Sequence, residues 1–160
     1  MRKINPFLWF DSEAEEAAKF YVGIFKNSKI NRITYYGENQ PRPEGSVMTV
    51  DFTLDGVSLV ALNGGPMFKF TEAISFNVNC ENQQEIDYFW EKLSAGGGST
   101  GPCGWLKDKF GLSWQVSPVY LRDMLADRDV DKAQRVMQAM LQMSKFDIAS
   151  LERAAGGSDK

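Results

Sequence analysis

The chain contains no histidine. This removes the side chain best suited to exchange protons near neutral pH and the commonest nitrogen ligand for a metal ion. Its two cysteines, Cys80 and Cys103, are too few for a disulfide framework and, without histidine, too few for a conventional zinc site. Free, buried thiols are expected instead. No apolar run approaches the roughly 18 residues of a membrane span, and Met1-Arg2-Lys3-Ile4-Asn5-Pro6 has no apolar signal region behind its two charges. These features read as a cytoplasmic protein without a membrane partner. Positive charge is not in excess either: 18 Lys and Arg against 21 Asp and Glu leave a net charge of -3, which repels a polyanion. Nucleic acid is therefore not an expected partner.

What is present is a repeated pattern. Phe7-Leu8-Trp9-Phe10-Asp11 runs into Glu13-Ala14-Glu15-Glu16-Ala17-Ala18-Lys19-Phe20-Tyr21, and 69 residues later Phe76-Asn77-Val78-Asn79-Cys80 runs into Asn82-Gln83-Gln84-Glu85-Ile86-Asp87-Tyr88-Phe89-Trp90. The copies align Phe7 with Phe76, Glu16 with Glu85 and Phe20 with Phe89. Each reads as a strand followed by an amphipathic helix. With 160 residues, 43% of them hydrophobic, the chain has material for one well-buried domain.

Asp11 or Ser12 is the expected cap of the first helix. Residues 29–36 alternate as a half-exposed strand, and 37–45 form a loop with two prolines. Asp55-Gly56 predicts a two-residue turn between strands at 47–54 and 57–62, because both residues tolerate positive φ. In the second half a strand at 73–80 precedes a helix at 83–94 that stops at Gly96-Gly97-Gly98. Strands at 103–107 and 113–117 turn at Phe110-Gly111. The tail reads as helix over 119–126, 132–143 and 148–154. Its middle piece carries Val136, Met137, Met140, Leu141 and Met143 as a stripe that must bury. The boundaries expected are a single domain over 1–155, with modules at about 3–66 and 67–118 and a helical tail at 119–155. Residues 156–160 are expected to be disordered.

Four stretches together resemble a known family. They are Leu8-Trp9-Phe10-Asp11 with Ala14-Glu15-Glu16-Ala17 and Phe20-Tyr21; Leu62-Asn63-Gly64-Gly65-Pro66; Gly104-Trp105-Leu106-Lys107-Asp108-Lys109-Phe110-Gly111 with Trp114; and Lys132-Ala133-Gln134-Arg135-Val136-Met137. The chain resembles the PhnB-like branch of the vicinal oxygen chelate superfamily, which includes glyoxalase I, fosfomycin and bleomycin resistance proteins and extradiol dioxygenases. Some members carry the label 3-demethylubiquinone-9 3-methyltransferase. The resemblance implies an α+β, glyoxalase-like fold, with two βαβββ modules forming a cupped mixed sheet, C-terminal helices and a homodimer. The methyltransferase label finds no support in a glycine-rich strand-to-helix loop.

Catalytic members of the superfamily hold a divalent metal through His and Glu. Here Gln115 falls where the glutamate is expected, Ile4 and Pro6 lie where a ligating histidine is sought, and Met67 follows Gly-Gly-Pro where similar sequences often have histidine. The expectation is a protein with neither the family's metal nor another cofactor. It would bind an unidentified small, partly hydrophobic molecule in a cup lined by Trp9, Asn63, Phe68, Trp105, Trp114 and Gln115, with Lys69, Glu72 and Lys107 near the rim. Each aromatic taken alone is more often core than site. The amides of Asn63 and Gln115 carry more weight, because an inward amide must find partners. Glu13, Glu15 and Glu16 suit a helix N-terminus rather than acid–base work. Two alternatives stand beside binding. One is a metal-independent lyase, isomerase or transferase using Glu72, Lys69 or Cys103; the other is a structural dimer whose cup its own side chains fill.

Overall fold

A computed structural model describes residues 3–156, in which the chain forms two compact units that divide between Phe70 and Thr71. Each contains one strand, one helix and three further strands, so the repeat seen in sequence is a repeat of structure. The fold is α+β, with two four-stranded mixed sheets and C-terminal helices.

The first unit comprises β1 (Phe7–Phe10), α1 (Ala14–Ile24), β2 (Lys29–Tyr35), β3 (Val47–Leu54) and β4 (Val57–Asn63). The sheet order is β1-β4-β3-β2, with β1 parallel to β4 and the other pairs antiparallel. Strand alternation buries Leu8, Phe10, Val50, Phe52 and Leu54 on the face that receives Ala14, Ala17, Ala18, Tyr21 and Ile24 of α1. The alanines let the helix approach closely, and Tyr21 stacks on Phe52 with ring centroids 6.3 Å apart.

Neither Asp11 nor Ser12 caps α1. Glu13 holds the cap position without a side-chain capping bond, and Asn63 Oδ1 accepts a hydrogen bond from the Ala14 N–H at 2.8 Å. The β1–β4 register pairs Phe10 with Asn63, which brings the amide to the start of the helix. The expected tight turn is present at Asp55-Gly56, with φ of 42° and 76°.

The second unit comprises β5 (Phe76–Cys80), α2 (Gln83–Ser94), β6 (Ser99–Thr100), β7 (Trp105–Lys107) and β8 (Ser113–Pro118). These are followed by α3 (Leu121–Leu125), α4 (Val130–Leu141) and α5 (Ile148–Gly156). Its sheet order is β5-β8-β7-β6, again with one parallel pair, β5 to β8. Asn82 caps α2 by accepting from the Glu85 N–H, and Ile86 and Leu93 are buried with Val78, Leu106, Trp114 and Val116. The two-residue β6 lies beyond what the sequence pattern predicts.

The tail is tied into this unit. Cys103 and Gly104 adopt left-handed φ of 55° and 77°, and their N–H groups donate to the carbonyls of Met143 at 2.8 Å and Ser144 at 2.7 Å. Gln83 bridges to the same segment, donating to the Phe146 carbonyl and accepting from the Ile148 N–H. Val136, Phe146 and Leu151 are fully packed. The expected buried stripe on α4 is narrower than its sequence implies: Val136 is buried, but Met137 and Leu141 are 39% and 57% exposed. Only Val136 lies at the centre of the packed face. Gly156 is helical, as part of α5, and the rest of the expected disordered end, 157–160, lies outside the described residues.

Candidate functional site

The sheet faces turned away from α1 and α2 are furnished differently in the two units. In the first unit this face carries Trp9 beside Leu62, and Thr34 beside Thr49. Trp9 Nε1 donates to the Gly65 carbonyl at 2.8 Å, and its ring meets Phe68 edge-on with centroids 5.0 Å apart. A Cβ on Gly64 would collide with that ring, so glycine there permits the close approach. The Thr34 and Thr49 hydroxyls pair at 2.6 Å, and Arg32 bridges to Asp51. Asn63 is committed at both ends of its amide: it accepts from Ala14 and donates to the Val47 carbonyl at 3.0 Å.

In the second unit the register pairs Trp105 with Gln115 and Lys107 with Ser113, placing these four on one face. Gln115 donates to Ser75 Oγ at 2.9 Å, and Ser117 donates to Asn77 Oδ1 at 2.8 Å. A groove of about 490 Å³ opens at the β6–β7 edge, lined by Ser99, Thr100, Pro102, Trp105, Lys107 and Ser113, with Glu72 at its side. Lys107 and Glu72 form an ion pair. The hydrogen bond from Lys107 holds the Glu72 carboxyl below its ordinary pKa.

Ser113 is the unusual member. Its side chain is fully buried, and among the described residues its Oγ has no hydrogen-bond partner. A buried hydroxyl without a partner is costly, so it needs a physical account.

The residues named from sequence therefore separate. Trp105, Lys107 and Glu72 meet at the groove, with Gln115 on the same sheet face. Trp114 lies on the opposite face of β8 because consecutive strand residues alternate. It is buried against the core, and its Nε1 donates to Asp108 Oδ2 at 2.9 Å. Trp9, Asn63 and Phe68 belong to the first unit, where Asn63 is engaged by the backbone, and Lys69 is an exposed residue of the segment after β4.

Cys103 lies in the turn before β7, with its thiol 3.7 Å from the Met140 carbonyl. Burial pushes the other thiol, Cys80, up to about 12, which makes it inert near neutral pH. Sequence reasoning missed Ser113, Ser99 and Thr100. Counting two residues back along β8 from Gln115 would have placed Ser113 on the same face, but nothing in sequence signals its missing partner.

The side chains do not suit the superfamily's divalent metal. Gln115 offers only an uncharged amide oxygen, a weak ligand for a dication, and the side chains of Ile4 and Pro6 have no donor atoms. Among the described residues no group of three or more His, Cys, Asp or Glu could hold an ion. Neither glycine run makes a nucleotide loop: Gly96–Gly98 leads from α2 into β6, and Gly64-Gly65 lies between β4 and β5.

Comparison with known proteins is consistent with this architecture. The PhnB protein of Bacillus cereus has a solved structure that is 38% identical, with a TM-score of 0.65, covering 73% of this chain and 99% of its own. A structure from Pseudomonas aeruginosa is 20% identical with a TM-score of 0.60, covering 74% of this chain and 98% of its own. The fosfomycin resistance protein FosX of Listeria monocytogenes, solved with Mn(II) and sulfate, is 14% identical with a TM-score of 0.51 over 77% of this chain and 99% of its own. These last two likenesses are of fold alone. No curated protein matches the chain. The sequence model of one family matches residues 2–117, and its description is 3-demethylubiquinone-9 3-methyltransferase. By that match and the Bacillus likeness, the chain belongs to this PhnB-like family of the vicinal oxygen chelate superfamily.

Proposed function

We propose that the chain is a small-molecule binding protein whose second unit takes a compact, partly hydrophobic ligand in the groove between β6 and β7. The observation that carries this reading is Ser113 Oγ, buried and without a partner among the described residues, in the groove that Trp105 also lines. A few convergent polar groups in an apolar cleft of this size are the usual makings of a small-ligand site. A hydroxyl that costs stability in the free protein repays the cost when a ligand supplies its hydrogen bond.

The test uses benzyl alcohol as probe, followed by thermal shift and by tryptophan fluorescence. Ser113→Ala should stabilise the free protein by about 1 kcal/mol, since it removes an unsatisfied group, and should weaken probe binding. Trp105→Ala should abolish the fluorescence response. Gln115→Leu should reduce probe stabilisation, because it disturbs the neighbour paired to Trp105. Unchanged binding in Trp105→Ala would remove the groove as the site.

Self-association as a homodimer is part of the same proposal. Phe7, Met67 and Phe68 are 63%, 78% and 57% exposed, an amount of apolar surface that favours burial against a second copy. Light scattering on a sizing column should give twice the chain mass, and a monomer at micromolar concentration would remove this part. The free thiols Cys80 and Cys103 suit the reducing compartment expected from sequence. Among the described residues no helix is long and apolar enough to cross a membrane.

A further inference from the structure

We propose that the groove of the second unit selects a small carboxylate with a flat apolar body, and that the Glu72 carboxylate is its internal stand-in, displaced from Lys107 when the ligand enters. The inference rests on the binding reading given above and adds the ligand's charge and the residue that guards the site.

Among the described residues that line the groove, Lys107 and Glu72 carry the charges; the rest are hydroxyl, glycine or apolar. Lys107 is held in place by its strand, since β7 pairs with β6 at Ser99 and with β8 at Ser113. Glu72 has no such support. It belongs to the short stretch before β5 that is neither helix nor strand, and its side chain is 61% exposed against 43% for Lys107. The backbone of the cation is anchored in the sheet and that of the anion is not, which makes Glu72 the more readily displaced partner.

The contacts that Glu72 fails to make matter as much as the one it makes. It satisfies the ammonium of Lys107 but leaves Ser113 Oγ without a hydrogen bond, although Ser113 stands directly opposite Lys107 in the register. An exposed ion pair is weakly held and easily exchanged. A ligand carboxylate has two oxygens, one for the Lys107 ammonium and one for the Ser113 hydroxyl, while its ring lies against Trp105 and Pro102. It replaces the interaction that Glu72 gives up and adds one that Glu72 does not provide. A neutral ligand has no charge to offer Lys107 in exchange for Glu72 and leaves the ion pair closed.

The experiment titrates benzoate and benzyl alcohol, which share a ring and differ in charge, into the full chain and its variants, with tryptophan fluorescence and calorimetry as readouts. Glu72→Gln should bind benzoate about fivefold more tightly than the unsubstituted chain, the gain expected on removing an exposed competitor, and should change benzyl alcohol less than twofold. Lys107→Met should erase the preference for benzoate over benzyl alcohol. If benzyl alcohol binds but benzoate gains nothing in Glu72→Gln, the carboxylate assignment falls and the groove remains a neutral site. If neither probe binds the unsubstituted chain or Glu72→Gln, both the groove and this inference fall. Glu72 lies outside every regular element and its ion pair is exposed, so the variant should lose little of its melting temperature, and a shift of several degrees would show Glu72 to be structural instead.

Discussion

The two units share one topology and treat the sheet face away from the helix in opposite ways. In the first, the polar groups described on that face have partners within the unit: Trp9 donates to Gly65, Thr34 pairs with Thr49, and Arg32 holds Asp51. In the second, Gln115 and Ser117 are paired in the same manner, but Ser113 is left over beside a groove. Duplication preserved the strand order and let the faces diverge. One copy is finished by its own side chains, whereas among the described residues the other retains an unmet hydrogen-bonding group, and the proposed ligand site rests on that difference rather than on the fold.

The same contrast runs through the turns and glycines, and substitutions can sharpen it. Gly104 and Gly64 each let an aromatic ring lie close to the backbone, Phe146 over Gly104 and Trp9 over Gly64. Gly104 also has a φ of 77°, and a Cβ there would stand 2.7 Å from the Val116 carbonyl. Gly104→Ala should therefore cost about 4 kcal/mol, overpacking added to a left-handed backbone, against about 2 for Gly64→Ala. Denaturant midpoints measure both, and equal costs would remove the distinction.

The hairpin turns come next. Asp108 accepts from the Phe110 and Leu112 N–H groups at 2.9 and 3.1 Å and from Trp114 Nε1, all through one buried carboxylate. Asp108→Ala should cost about 3 kcal/mol by leaving these donors unpaired. The turn at Asp55-Gly56 depends on backbone conformation, so Asp55→Gly should stay within about 0.5 kcal/mol.

The helix starts give a smaller difference. Asn63→Ala removes a buried amide that serves both Ala14 and Val47, for about 2 kcal/mol. Asn82→Ala removes an ordinary exposed cap, for about 1 kcal/mol.

The smallest effect is electrostatic. In the second unit Glu72, Asp87, Asp127 and Asp147 all sit below their ordinary pKa values, held first by hydrogen bonds from Lys107, Lys145, Lys132 and Ser150. A carboxylate whose pKa is lower in the folded state contributes stability above its unfolded value and loses it as pH falls through the folded one. The melting temperature should be level above the ordinary values of 4.5 for Glu72 and 3.8 for the aspartates, and should fall gently below them. These groups are exposed, so added salt should shrink the slope. A slope that salt leaves untouched would point to buried carboxylates instead.

Much of the fold was legible because its determinants are local. The helix over Gln83–Ser94 carries its own cap at Asn82 and its own stop at glycine, and the Asp55-Gly56 turn is encoded in two adjacent residues. What escaped depends on distant partners. The cap of α1 comes from Asn63, 49 residues away, and so neighbouring Asp11 and Ser12 were misleading. At the site, Trp105, Lys107 and Glu72 carried visible chemistry, but Ser113 matters for a contact it lacks, which no residue type announces. Trp114 looked like site because it is aromatic and near Gln115, yet strand alternation sends it to the core.

The stitching of Cys103 and Gly104 to Met143 and Ser144 bears on the order in which the protein can form during synthesis. The helix and all four strands of the first unit have been made once Phe70 has left the ribosome, so that unit can close while the remainder is still being translated. The second unit repeats the same motif by Pro118, one residue beyond the end of the family match, but its turn at Cys103 and Gly104 still awaits carbonyls about 40 residues downstream, and its core awaits Phe146 and Leu151. A nascent chain paused near residue 120 would expose a finished first half and an unsealed second one. That interval, rather than the mature protein, is where this sequence most needs protection from aggregation.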